Sequence, residues 1–256
     1  MDDHNLYELA IELNELDFAI NGLLASRRSL SHNTMMYLET TSLLAICYIR
    51  KLEVAKAKPY LKEVLTNEKA IPSVSERKIW RQKMINRFKE EVILSSLKST
   101  SNPVYDEAEI EKEVARIMQS KSEQEIYEEI GLVAPGATRE MLAIIYSYSL
   151  KQFSSRRSLT LPEPVQQVKN AEVGLTVFES VRRVIYNSLC RPESDIYKSW
   201  FNNGMQAILS KQYITTMVTS CLIKLGIGML LLAAYFIALI TKFGIEVYCE
   251  KYKPAN

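Results

Sequence analysis

Within NLYELAIELNELDFAINGLLASRR, the apolar positions Leu6, Leu9, Ala10, Leu13, Leu16, Ala19 and Leu23 recur at intervals of three and four. That spacing predicts one helix with a single buried face. After SHNT, the stretch from Met35 to Asn67 predicts two antiparallel helices with a break near Lys51 and Leu52. A further helix follows Pro72, in which Trp80, Met84, Phe88 and Val92 step by four along one side. TSNPVYDEAEIEKEVARIM predicts a helix capped by Asn102 with Pro103 at its first position and early acids that suit the positive end of the helix dipole. Ser122 and Glu125 form a capping box for the next helix, which Gly131 should end. Beyond the turn at Pro135 and Gly136, Thr138 is expected to cap an apolar helix. SSRRSLTLPEP, with Pro162 and Pro164, is the clearest internal break. The last long amphipathic helix carries Val177, Val181, Val184 and Leu189.

Periodicity stops near the C-terminus. Residues 225–241, between Lys224 and Lys242, contain no charge. As a continuous helix these residues would extend about 25 Å, some 5 Å short of a bilayer's hydrocarbon core of about 30 Å, a gap that two lysine stems can bridge by reaching outward. The expected fold class is therefore all-α, a cytosolic helical domain followed by one C-terminal transmembrane helix. Expected boundaries are an N-terminal helical region over 1–70, a helical cytosolic domain over 71–204, a linker and transmembrane helix over 205–242 with its core at 225–241, and a short tail over 243–256. With no basic leader before an apolar core at the start, the upstream residues are expected to stay cytosolic while the tail crosses.

On that helix Lys224, Gly228, Ala234, Tyr235, Ala238 and Lys242 fall within one small and polar arc. Small residues let helices approach closely, so Ala234 and Ala238 are candidates for self-association, and a ring of Lys224 in a homo-oligomer would favour anions at a pore mouth.

Composition supports helices: Gly is scarce at eight residues, and Val/Thr-rich alternating runs are lacking. The net charge of +2 commits the chain to no partner, but its blocks differ. Residues 76–98 hold seven bases against three acids, 105–129 nine acids against three bases, and 150–191 seven bases against three acids. The candidate anion-binding residues are Arg77, Lys78, Arg81, Arg87, Arg156, Arg157, Arg182 and Arg183. If brought together they would suit a nucleotide, a nucleic acid or lipid headgroups.

Cys47, Cys190, Cys221 and Cys249 lie far apart, lack C-x-x-C spacing and are accompanied only by His4 and His32. Neither a metal site nor a disulfide framework is expected, and a reducing compartment fits. The chain has no phosphate-binding glycine loop, no H-E-x-x-H and no G-x-S-x-G. No catalytic residue, cofactor or metal is expected.

Leu44, Ala45, Tyr48, Ala57, Leu61 and Val64 follow a spacing that resembles a degenerate tetratricopeptide hairpin over about residues 38–66, with Leu52 where that family usually has a turn glycine. The resemblance implies a helical scaffold that binds a protein or peptide. The layout as a whole is similar to single-pass membrane effectors of bacterial anti-phage systems. It implies an oligomerising effector whose cytosolic module, under a regulatory protein or other signal, controls a pore or membrane disruption. A tail-anchored adaptor recruiting a partner protein, and a membrane-tethered nucleic-acid or nucleotide sensor, are the alternatives.

Overall fold

The computed structural model describes residues 3–67, 69–98, 104–150, 169–191, 193, 198 and 211–251. The fold is all-α: twelve helices are found among the described residues, and the chain divides into two compact units.

The first unit comprises Met1–Ser96 and Gly136–Val168. Its helices are α1 (Asp3–Glu12), α2 (Leu16–Ser29), α3 (Met35–Arg50), α4 (Val54–Thr66), α5 (Val74–Ser96) and α8 (Gly136–Leu150). Helix α3 is the axis of this unit and packs against α1, α2, α4 and α5. Enclosure on several sides is possible because residues Tyr37 to Ile49 are almost all buried, with only Glu39 left partly exposed. Its first turn is closed by Thr34, whose hydroxyl accepts from the Tyr37 amide at 3.3 Å. Met84, Phe88 and Val92 of the expected α5 stripe are buried, and half-buried Trp80 packs on Leu38, Ala70 and Ile71. The charges inside this unit are closed on one another. Arg50 pairs with both oxygens of Glu91 at 2.8 and 2.9 Å and donates to the Ile11 carbonyl at 2.6 Å. Glu63 accepts from Arg27 at 2.6 Å and from the Tyr37 hydroxyl at 2.7 Å; burial first, then Glu63, pushes that phenol up to about 12.

The second unit comprises Leu97–Pro135 and Lys169–Asn256. It contains α6 (Glu107–Ser120), α7 (Glu123–Val133), α9 (Asn170–Leu189), α10 (Lys211–Lys224), α11 (Leu230–Phe243) and α12 (Ile245–Lys251). Helices α7 and α9 make the closest contact. A Cβ on Gly131 would lie 1.9 Å from the Asn170 carbonyl oxygen, and one on Gly174 would lie 1.8 Å from that of Tyr127. Gly131 therefore does not end a helix as expected; it lies inside α7, where its missing side chain admits the backbone of α9. Across this contact Tyr127 meets Phe178 edge-on at 5.8 Å, and Phe178 meets Phe236 of α11 at 5.8 Å.

Several other expectations change. The predicted first helix is two, α1 and α2, with Asn14 between them at φ 63°. Its Leu6, Leu9 and Leu13 are exposed, while Ala10 and Ile11 face inward. Asn102 and Pro103 lie outside the described residues, as does the 151–168 stretch that contains the Pro162–Pro164 break. Helix α6 is capped instead by Asp106, whose carboxylate accepts from Ala108 and Glu109 amides at 3.0 and 3.1 Å. Thr138 is not a cap, because α8 begins at Gly136 and leaves Thr138 buried within the helix. The Ser122–Glu125 capping box forms as expected.

The largest correction concerns residues 225–241, which do not form one helix. Helix α10 ends at Lys224, Leu225–Met229 are not helical, and α11 begins at Leu230. The cause is Gly226 at φ +72°. The Gly226 amide donates to Ile223 O at 2.9 Å, and the Ile227 amide to Leu222 O at 2.9 Å, the paired bonds of a Schellman stop. With 14 residues each, α10 and α11 extend roughly 21 Å. No helix among the described residues is long and apolar enough to cross a membrane.

Two substitutions test these close contacts. Gly174→Ala forces a methyl group onto a backbone carbonyl that has no rotamer by which to escape, so it should destabilise the second unit by about 3 kcal/mol, read as a lowered urea midpoint by circular dichroism. Leu52, at φ 57°, holds the same stop position between α3 and α4: its amide donates to Ile49 O at 2.8 Å and that of Glu53 to Tyr48 O at 2.9 Å. A left-handed non-glycine residue costs about 1–2 kcal/mol, and glycine forfeits about 0.5–1 kcal/mol of that through chain entropy. Leu52 is 41% exposed, so Leu52→Gly should stabilise the first unit by about 0.5–1 kcal/mol in the same experiment.

Candidate functional site

The apolar segment is the candidate site, and the second unit encloses it. All nine residues from Leu232 to Ile240 are buried, none more than 3% exposed, and α11 packs against α6, α7, α10 and α12. A helix without a polar side must be covered all round, and four neighbours provide that cover. Lys224 lies exposed at the end of α10, and Gly228 lies half-buried in the connecting stretch. Ala234, Tyr235 and Ala238 are buried within the unit, and Lys242 is exposed near the end of α11. The six residues expected on one helical arc therefore occupy two helices and the turn between them.

Polar contacts fasten the segment at successive points. At its start, the Tyr105 hydroxyl donates to the Ile227 carbonyl, and Lys98 and Ile227 form an isolated antiparallel bridge. At its middle, Tyr235 donates to Glu129 Oε2 at 3.3 Å, while Lys121 Nζ donates to Glu129 Oε1 at 2.7 Å. Near its end, Lys242 Nζ donates to the Lys121 carbonyl at 2.6 Å. The Tyr248 hydroxyl donates to the Arg182 carbonyl at 3.2 Å. The hydrogen bond from Lys121 holds the Glu129 carboxyl below its ordinary range. Glu113, hydrogen-bonded by Arg116, and Glu125, hydrogen-bonded by the Ser122 backbone, are held low in the same way.

The strongest fastening corrects an expectation from the sequence. Cys190 and Cys249, 59 positions apart, are disulfide-bonded with their Cα atoms 5.5 Å apart. Cys190 caps the end of α9 and Cys249 lies in α12, elements that no local spacing connects. In the chain-entropy description a loop of that length contributes about 4 kcal/mol. Cys47 and Cys221 are buried and take no part in the disulfide, and burial pushes the Cys47 thiol up to about 12.

The basic candidates are divided between the two units. Arg77, Lys78, Arg81 and Arg87 belong to the first unit and Arg182 to the second. Arg77 donates to Pro72 O at 3.1 Å and Arg81 to Leu65 O at 3.2 Å, bonds that satisfy backbone carbonyls around the end of α4. Arg156 and Arg157 lie outside the described residues, and so does the side chain of Arg183. No group of three or more His, Cys, Asp or Glu side chains suited to a metal ion occurs among the described residues.

Two features of this site escaped the sequence reading. The glycine contact of α7 with α9 could have been suspected from Gly131 standing between Ile130 and Leu132 with no turn residue beside it. The Tyr235–Glu129–Lys121 group carries no spacing signal at all.

No family model, curated protein or solved structure matches the chain.

The depressed carboxyls fix a pH dependence. A carboxyl whose folded pKa lies below its unfolded value contributes stability that is complete above the unfolded pKa, about 4.3, and is lost as pH falls through the folded one. Glu129→Gln should lower the Tm of the second unit at neutral pH, and the gap from the parent should close below about pH 4. Thermal melts over that range check it; a gap independent of pH would show that the charge of Glu129 does not hold α11.

Proposed function

We propose that this chain is a membrane effector that keeps its lipid-seeking segment folded within protein until released. On release, residues 225–241 form one helix across a bilayer with Lys224 and Lys242 at its two rims. The upstream residues stay on the cytosolic side, and copies associate through the small residues Gly228, Ala234 and Ala238 to open or disrupt the membrane. The observation that carries this reading is the unbroken burial of residues 232–240, a stretch with apolar side chains in every direction, fastened by a handful of polar contacts and, through α12, by one disulfide.

Hydrocarbon and a protein interior both cover such a segment, so its own apolar surface is satisfied in either place, while the faces of α6, α7 and α10 that it leaves must close on one another. In a bilayer the backbone groups of Leu225–Met229 find no water, which drives them into the helix that Gly226 interrupts here. The first unit, with its repeat-like α3–α4 hairpin, supplies the surface on which a regulatory protein acts.

A second reading, a tail-anchored adaptor, draws on exposed apolar residues suited to a protein partner: Leu6 and Leu9 of α1, Leu13 just after it and Phe18 of α2. A sensor of nucleotides or nucleic acid would use Lys78, Arg87 and the other basic residues, and salt-dependent retention on oligonucleotides is its test.

The membrane reading is tested by expressing the full chain and washing the cell membranes with alkaline carbonate. A carbonate-resistant fraction, with ion leakage that rises with its amount, is expected. Complete release into the supernatant overturns membrane insertion, and firm retention without leakage favours the adaptor.

A further inference from the structure

We infer that the Cys190–Cys249 disulfide is a redox latch that forbids the apolar segment from crossing a bilayer while it is closed. The inference rests on the membrane reading above and adds its regulation. Cys190 precedes the segment, at the end of α9, and Cys249 follows it, in α12. When closed, the bond makes residues 190–249 a covalent ring. A ring can cross a membrane only an even number of times, and this one holds a single uncharged run of spanning length, 225–241. A lone crossing would also place Cys190 and Cys249 on opposite sides of about 30 Å of hydrocarbon, whereas bonded cysteines keep their Cα atoms within about 7 Å. The oxidised chain and the singly spanning chain are therefore mutually exclusive.

The bond is placed to be opened. Cys190 and Cys249 are both half-buried, open in part to a small reductant. Cys47 and Cys221 are buried, which keeps them from competing in exchange with the pair. A dithiol supplies two electrons and two protons: the S–S bond breaks, two cysteine thiols form, and the dithiol leaves as its own disulfide. With the bond open, the hydrogen bond from Tyr248 to the Arg182 carbonyl and the burial of Tyr248 still tie α12 to the unit, and these ties break without chemistry.

The test uses the full chain, air-oxidised, with the disulfide verified by the two-hydrogen difference in intact mass before and after dithiothreitol. Each form is mixed with vesicles of phosphatidylcholine and phosphatidylglycerol and floated on a density gradient. Reduced protein should float at least about tenfold more than oxidised protein, and removing the reductant in air before vesicles are added should restore the oxidised behaviour. Cys190→Ser and Cys249→Ser should float without reductant. Oxidised Glu129→Gln, loosened at α11 but still closed by the bond, should stay at the bottom, which separates a latch from mere loss of stability. Equal flotation of oxidised and reduced chains overturns the latch and leaves the membrane reading standing. Flotation of neither overturns the membrane reading itself, and the latch falls with it. Absence of the mass difference in oxidised protein overturns the latch alone.

Discussion

The enclosure of Leu232–Ile240 is the constraint around which the second unit is built. Nine consecutive apolar residues on a helix present apolar surface in every direction, and water is excluded from them only if helices lie on all sides. That requirement explains why α6 and α7, from much earlier in the chain, join the flanking α10 and α12 against α11. It also explains why α7 and α9 approach through glycines: Tyr127 and Phe178 are carried on that close pair, and the Phe178 ring continues the contact to Phe236. The first unit is organised differently. Helix α3 is nearly as apolar, but it includes Thr40, Thr41 and Ser42, whose hydroxyls return to backbone carbonyls at 2.8, 2.7 and 2.7 Å and so are buried without orphaned donors.

The charges follow a matching division of labour. Few of the polar contacts around α11 come from the helix itself: Tyr235 and Lys242 reach out, and Glu129 and the Lys121 carbonyl receive them. Because Lys121 also neutralises Glu129 at 2.7 Å, one lysine serves both points of attachment, through its side chain and through its carbonyl. The acidic block of 105–129 is thus not a uniform solvated face. Glu129, within it, is an anchor for the apolar segment, Glu113 pairs with Arg116 on α6, and Glu125 closes the capping box of α7.

The all-helical fold, the α3–α4 hairpin with its break at Lys51 and Leu52, the α5 stripe and the Ser122–Glu125 box were legible in the sequence because each depends on residues within a few turns of one another. What was not legible depends on distant partners. The run at 225–241 shows its lack of charge but not whether lipid or protein will cover it, since both satisfy the same hydrophobic demand. Gly131 resembled a helix end because local rules favour glycine there, whereas its use is to admit a backbone from residues nearly forty positions away. Cysteine spacing is silent on Cys190 and Cys249 for the same reason: the two stand 59 positions apart and no local pattern brings them to 5.5 Å.

Three residues perform the same backbone task at different cost. Asn14, Leu52 and Gly226 each hold the left-handed position that closes a helix with paired hydrogen bonds. For Leu52 the conformation is strained and survives because α3 and α4 pack firmly on either side. For Gly226 it is free of strain, so the break in the apolar run is comfortable in water and needs no packing to enforce it. Drawing Gly226 and Gly228 into a helix costs about 2 kcal/mol in propensity, less than the cost of leaving even a few backbone groups unpaired in hydrocarbon. The same glycines fit the bent segment that protein surrounds here, and in the membrane reading proposed above their helical cost is no barrier to a straight one.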